Sequence, residues 1–296
     1  MKFLVSITIM CVLVLSEACY SKEISDVAYA NLSKSQVCNI YMPNDKENNG
    51  VIILVHGGGF AFGTQNDELI KPVIVKAIER GYCVVAADYR KSSEAIFPAA
   101  IADIKALVRW VKANACQYNF NISNITIWGE SAGAYLSVMT ALTPEAELLN
   151  GNLSDNLEYS SSVRNLVSFY APIEFYTMDI EFEELGLSEC ANHNNVDSFE
   201  SKFLGQSLSK DKNETYKTYW ENYFTYDVGL KKVWIQAGSN DRNVPYTQSK
   251  NLAEKLSEKL TGKVHYNLIY DAGHMDQAFY TDKNLNAIFD YLTSQD

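Results

Sequence analysis

Positive charge is in short supply in this chain. Its 25 Lys and Arg stand against 36 Asp and Glu, for a net charge of −11. That balance argues against nucleic acid or an anionic membrane surface as a partner. Histidine is scarcer still, at four residues in 296. No His-Glu-x-x-His and no Cys/His cluster with zinc spacing occurs, so no metal and no other cofactor is implied. There is no G-x-x-x-x-G-K-[ST] phosphate loop, and no G-x-G-x-x-G with a fitting acidic partner. Internal repeats and low-complexity linkers are also missing.

The apolar run at the start, FLVSITIMCVLVL, is too short to span a bilayer comfortably. Lys2 precedes it, and Ser16 and Ala18 place small residues at −3 and −1 of a cleavage point. Residues 1–18 therefore read as a secretory signal peptide, which places the remaining chain, 19–296, outside the cell. Cys19 directly after it raises lipid anchoring as an alternative, although no leucine occupies −3. Five cysteines follow the signal, an odd number, so at least one is free or lipidated. Cys83 lies in an apolar run and reads as a buried thiol. One or two disulfides among the others fit an extracellular setting. Asn31, Asn121, Asn124, Asn152 and Asn213 head Asn-x-Ser/Thr acceptors for glycosylation in a eukaryotic host.

From residue 36, strand and helix patterns alternate. QVCNIYMPND reads as an alternating strand. VIILV, YCVVAADYR, NITIW and VRNLVSFYAP read as buried strands, followed by KKVWIQ and VHYNLIY as a fifth and sixth in that series. Helices are expected over DELIKPVIVKAIERG and behind Pro98, where Ile101, Ile104, Val108 and Val111 share one face. Others are expected over AGAYLSVMTALT, QSKNLAEKLSEKL and NLNAIFDYL. This order predicts one α/β domain with a mostly parallel sheet covered on both faces. Residues 173–230 break the alternation and are rich in Tyr, Phe, Glu and Asn. They read as an excursion, either a cap or lid over the sheet's active edge or an ordinary helical layer with surface aromatics.

In such sheets reactive groups gather at the carboxyl ends of the strands. GESAG (129–133) follows the strand NITIW and opens a helix. A serine on so sharp a turn needs small neighbours, which Gly129 and Gly133 provide. Ser131 is then the candidate nucleophile. Its hydroxyl needs a base, and the base needs an acid to orient it. Of His56, His193, His265 and His274, only His274, in YDAGHMD, follows a strand where a base should reach back to Ser131. His265 lies within a strand and reads as packed or superficial, and His193 as a polar-loop residue able to contact a ligand. Asp241, in AGSNDRNVP, is the candidate acid. Asp271 and Asp276 rank below it because they are too near His274 in sequence to turn back onto its ring. The order Ser131, Asp241, His274 matches G-x-S-x-G hydrolases.

Three successive glycines in VHGGGFAFG (55–63) let the main chain pass within hydrogen-bond reach of a substrate. Backbone amides there, from Gly58 and Gly59, would join that of Ala132 in holding an oxyanion. His56 then braces the loop and transfers no proton.

Taken together, VHGGGFAFG, DYR, FPAAIADIKALVRWVKANA, ITIWGESAGAYLS, GSNDRNVP and DAGH resemble the α/β-hydrolase superfamily. Within it they are similar to the carboxylesterase group that includes feruloyl-esterase-like and acetyl-xylan-esterase-like enzymes. The resemblance implies an α/β-hydrolase fold, a Ser131–Asp241–His274 triad and carboxylic ester substrates. It points to feruloyl or acetyl esters of plant cell-wall polysaccharide. Relatives often read GESAGG, whereas here Ala134 and Tyr135 follow the motif. A general short-chain esterase or lipase, an arylformamidase-like amidase and a non-catalytic binding protein on the same scaffold are the alternatives. The sequence leaves the oligomeric state open.

Overall fold

The continuous apolar runs become the middle of an eight-stranded sheet. The computed structural model describes residues 20–44, 48–208, 212–225 and 228–294. The expected signal peptide, residues 1–18, and Cys19 lie outside the described residues. The strands are β1 (Tyr20–Ala28), β2 (Val37–Pro43), β3 (Val51–Val55), β4 (Cys83–Ala87), β5 (Ile125–Glu130), β6 (Asn165–Phe169), β7 (Lys232–Gly238) and β8 (Val264–Ile269). Their spatial order is β1-β2-β4-β3-β5-β6-β7-β8. The β1–β2 and β2–β4 pairs are antiparallel, and every later pair is parallel. This is the α/β-hydrolase fold, as the motif order implied.

The helices are α1 (Lys71–Glu79), α2 (Ala99–Ala113), α3 (Ala115–Tyr118), α4 (Ala132–Leu142), α5 (Met178–Glu184), α6 (Phe199–Leu204), α7 (Lys212–Tyr216), α8 (Tyr246–Lys259) and α9 (Asp282–Thr293). Strand periodicity sorts them onto two faces. Val51, Ile53 and Val55 of β3 point into a core shared with Ile104 and Val108 of α2, Leu136 of α4 and Leu252 of α8. Ile52 and Leu54 point the other way, into a core shared with Ile74 of α1 and Phe289 of α9. Both faces are buried, which is why β3 is apolar throughout and does not alternate.

The strand β1 carried no legible signal. Its register shifts twice against β2, and Asp26 adopts φ 54°. Those irregularities destroy the period of two by which a strand is recognised. In contrast to the buried strands before it, β8 is half-buried along its length because it forms the sheet's edge. His265 on that edge stacks on Trp234, with ring centroids 4.1 Å apart.

Cys38, Cys83, Cys116 and Cys190 are free, so among the described residues the expected disulfides are absent. Cys38 and Cys83 are buried in neighbouring strands. Burial pushes their thiols up to about 12 and about 11. Of the Asn-x-Ser/Thr positions, Asn31, Asn152 and Asn213 are exposed. The amide nitrogens of Asn121 and Asn124 instead donate to the carbonyls of Asn48 and Asn49.

Between β6 and β7 the described part of 173–230 contains α5, α6, α7 and short 3-10 turns, with no strand. It is fastened to the body by buried polar contacts. Gln248 on α8 accepts from the amides of Ile173 and Glu174 and donates to Glu181 of α5. The Tyr135 hydroxyl on α4 donates to the Thr218 carbonyl at 2.6 Å. Tyr135, which follows the Ala134 that departs from the GESAGG pattern, thus anchors the excursion.

Candidate active site

Parallel strands bring all their carboxyl ends to one edge, and the candidate residues collect there. Ser131 directly follows β5 and precedes α4, with φ 51° and ψ −122°, a strained conformation for a residue with a Cβ. Its amide donates to the Phe169 carbonyl at the end of β6, which pins the turn. Glycines are obligatory on either side. A Cβ on Gly129 would lie 2.3 Å from the Gly133 carbonyl oxygen, and one on Gly133 2.2 Å from that of Val55.

His274 arrives from the loop after β8. Its Nε2 is 3.0 Å from Ser131 Oγ. Its Nδ1 is 2.7 Å from Asp241 Oδ2. A carboxylate only accepts, so Nδ1 carries the hydrogen and Nε2 is left to accept from the serine hydroxyl. Asp241, in the loop after β7, is buried and held by its other oxygen, which accepts from the amides of Asn243 and Val244. Asp271 and Asp276 are placed otherwise. The Asp271 amide donates to Ser239 Oγ, and the Asp276 carboxylate caps the turn at Ala278. The three residues singled out from sequence therefore meet, and the two lower-ranked carboxylates do not join them.

The glycine loop leaves the end of β3 and faces the serine turn. His56 is fully buried beneath it, with Nδ1 2.6 Å from the Gly57 carbonyl oxygen. The Tyr89 hydroxyl donates to the carbonyls of His56 and Gly57. In a trans peptide the C=O and the following N–H point in opposite directions. Holding the Gly57 carbonyl inward thus turns the Gly58 amide outward, toward the cavity that Gly58 and Gly59 line together with Ser131 and Ala132. Gly58 has φ 107° and Gly59 φ 57°, values that favour glycine. His56 lies under the loop, its ring nitrogens engaged by Gly57, Asp88 and Lys91, as a brace would be.

The cavity measures about 560 Å³. Its far wall comes from the excursion: Asn192, His193, Asn195, Phe199 and Glu200. His193 is held at both ring nitrogens, 2.9 Å from Asp179 Oδ1 and 2.9 Å from the Asn243 carbonyl. It joins the excursion to the loop that carries Asp241, so its place is structural even though it lines the cavity. Glu200 is buried, and burial raises its carboxyl above the usual range. At the mouth, Phe62 (65% exposed) and Phe199 (45% exposed) meet edge to face at 5.9 Å.

The Tyr-rich stretch 216–225 does not line this cavity. Trp220 and Tyr219 are buried against the body instead, which explains that stretch as packing. Sequence reasoning also missed Phe199 and Glu200, which lie in a six-residue helix too short to show periodicity. Among the described residues no group of three His, Cys, Asp or Glu side chains could hold a metal, and no helix is long and apolar enough to cross a membrane.

Comparison with known proteins finds esterases. Esterase LipQ of Mycobacterium tuberculosis is 30% identical over 127 residues, covering 42% of this chain and 30% of that protein. The matched stretch spans about a third of the length of such curated relatives. A truncated carbohydrate esterase from gut microbiota superposes with a TM-score of 0.82 at 24% identity, covering 94% of this chain and 97% of the other. A bifunctional GH43-CE protein of Bacteroides eggerthii gives 0.77 at 23% identity, covering 91% of this chain and 35% of that one. The model of the BD-FAE family matches residues 38–256, from β2 through most of α8. The chain belongs to the BD-FAE family of the α/β-hydrolase superfamily.

Proposed function

We propose that this protein is a serine esterase that hydrolyses carboxylic esters through an acyl-enzyme. The observation that carries the reading is the 3.0 Å approach of His274 Nε2 to Ser131 Oγ, with Asp241 behind the ring at 2.7 Å. Ser131 Oγ attacks the ester carbonyl carbon, and His274 takes its proton. The carbonyl oxygen becomes an oxyanion between the amides of Ala132, Gly58 and Gly59. Each such donor contributes roughly 3 kcal/mol in a site of this kind. As the tetrahedral species collapses, His274 returns the proton to the leaving alcohol. Water then enters by the same route and releases the acid. Asp241 keeps the imidazole in its tautomer and stabilises the imidazolium. A non-catalytic scaffold role fits poorly with a complete triad.

The proposed substrates are acyl esters of plant cell-wall polysaccharide, feruloyl or acetyl. Two features support this. The structural neighbours include one described as a carbohydrate esterase. The cavity mouth combines exposed aromatic faces, Phe62 and Phe199, with the amides and carboxyls of the far wall, a mixture suited to ring faces and hydroxyl groups. A polysaccharide substrate agrees with secretion, which rests on the leader-like residues 1–18.

Hydrolysis of p-nitrophenyl acetate, p-nitrophenyl octanoate, methyl ferulate and acetylated xylan by the mature chain tests this reading. Release of ferulate or xylan acetate supports the cell-wall assignment and identifies the acyl group. Cleavage of the p-nitrophenyl esters alone leaves a short-chain esterase and removes the polysaccharide claim. Inactivity on the whole panel removes the esterase claim.

A further inference from the structure

Lys91 lies just beyond β4, the strand paired with β3, and its ammonium is buried beneath the glycine loop. A buried ammonium must find acceptors for three N–H groups. Lys91 Nζ has three: the Tyr89 carbonyl at 2.8 Å, His56 Nε2 at 3.2 Å, and Asp88 Oδ1 in close contact. Since Nδ1 of His56 must donate to the Gly57 carbonyl at 2.6 Å, Nε2 of the neutral ring is a bare acceptor. That lone pair lies 3.2 Å from Asp88 Oδ1, itself an acceptor. Two acceptors facing each other are tolerable only with a donor between them, and Lys91 is that donor.

We infer that Lys91 is a positioning residue for the oxyanion loop, holding His56 in the one neutral tautomer that pins the Gly57 carbonyl and so aims the Gly58 amide. The inference rests on the esterase reading for its catalytic consequence, though the tautomer itself can be read without activity. Without Lys91, Nε2 would take the hydrogen and donate to Asp88. The bare Nδ1 would then face the Gly57 oxygen, repel it, and let the peptide turn. Only the imidazolium, with a hydrogen on each nitrogen, could satisfy both Asp88 and Gly57.

A pH signature follows. The titratable groups against the ring are Asp88, Lys91 and the Tyr89 phenol, which stacks on it at 4.5 Å. Burial, with the Lys91 charge beside it, holds His56 below the usual imidazole range against the opposing pull of Asp88. Burial likewise pushes the Tyr89 phenol far up, so it stays neutral. Removing Lys91 raises His56. In Lys91→Met the imidazolium supports the loop at low pH, and the wrong neutral tautomer undermines it as pH rises.

The test measures kcat and KM for p-nitrophenyl acetate in wild type, Lys91→Met and Lys91→Arg between pH 5.5 and 8.5, beside ¹⁵N spectra of the four histidine rings. Expected is a kcat ratio of Lys91→Met to wild type that falls with rising pH, reaching a loss of about 10–100-fold, part of what one oxyanion donor is worth. KM should hold, and Lys91→Arg, which keeps a cationic donor, should recover part of the loss. In wild type, His56 should carry its hydrogen on Nδ1. In Lys91→Met at pH 8 it should carry it on Nε2. A pH-independent ratio, or a wild-type ring protonated at Nε2, overturns the inference. The wild-type spectrum decides the tautomer even if Lys91→Met fails to fold. A wild type with the expected tautomer but no hydrolysis removes the esterase reading and leaves the Lys91 contact standing.

Discussion

Gly133 is seated so closely on β3 that a Cβ there would lie 2.2 Å from the Val55 carbonyl oxygen and 2.3 Å from that of His56. The turn that carries Ser131 thus rests on the strand end that launches the glycine loop. The two halves of the site share one backbone contact, and neither side of it is a flexible side chain that could yield. Gly133→Ala should therefore destabilise the fold by at least about 1–3 kcal/mol, the usual cost of forcing atoms into a packed interior. Thermal melts of the purified variant check this, and a wild-type transition would show that the contact is looser than the structure draws it.

Asp241→Asn should lower kcat by roughly 10⁴-fold, because an amide at that position favours the wrong tautomer of His274. Asp271→Asn should leave kcat near wild type, since the Asp271 side chain is not bonded to His274 and its backbone amide is what meets Ser239. The two rates, measured on one ester, rank the acids. A greater loss from Asp271→Asn would mean the wrong carboxylate has been assigned.

Phe62 and Phe199 present their rings at the cavity mouth. Aromatic contacts of this kind contribute about 0.5–1.5 kcal/mol beyond their buried area. Phe62→Ala should thus reduce kcat/KM on acetylated or feruloylated oligosaccharides roughly threefold to tenfold, with a smaller change on p-nitrophenyl acetate. An equal loss on both substrates would assign the pair to loop packing in place of substrate contact.

Glu130, the residue before Ser131, is wholly inside the protein, and burial pushes its carboxyl up to about 8. Its Oε1 has no hydrogen-bond partner among the described residues. The unfolded chain ionises this group near 4.5, so between 4.5 and about 8 the folded chain holds a proton that the unfolded chain has lost. Stability then falls as pH rises through that window, by about 1.4 kcal/mol per pH unit at most. Glu130→Gln removes the ionisation. Its melting temperature should exceed that of wild type at pH 8, and the gap should close near pH 4. A gap that does not change with pH would show that Glu130 is not buried as a neutral acid.

Much of this was legible in the sequence, and the limits have a physical pattern. Ser131, Asp241 and His274 could be found because each follows a buried strand, and parallel strands deliver their ends to one edge. The glycine loop was legible for the same reason. Lys91 was not, because its role exists only where the loops after β3 and β4 lie side by side. Phe199 and Glu200 escaped because a six-residue helix leaves no periodic trace. The tyrosines of 216–225 misled for a related reason. Composition suggested a cover over the active edge, but burial of Tyr219 and Trp220 turned that stretch toward the core. The strand β1 was hidden by its own bulges.

The central claim is that Ser131 is the nucleophile, and covalent labelling tests it most directly. A p-nitrophenyl alkylphosphonate should release one equivalent of p-nitrophenol, abolish activity and leave its mass on the peptide containing GESAG. Ser131→Ala should take up no label and hydrolyse no ester while melting as wild type does. Label on another residue, or ester hydrolysis that survives in Ser131→Ala, would contradict the account.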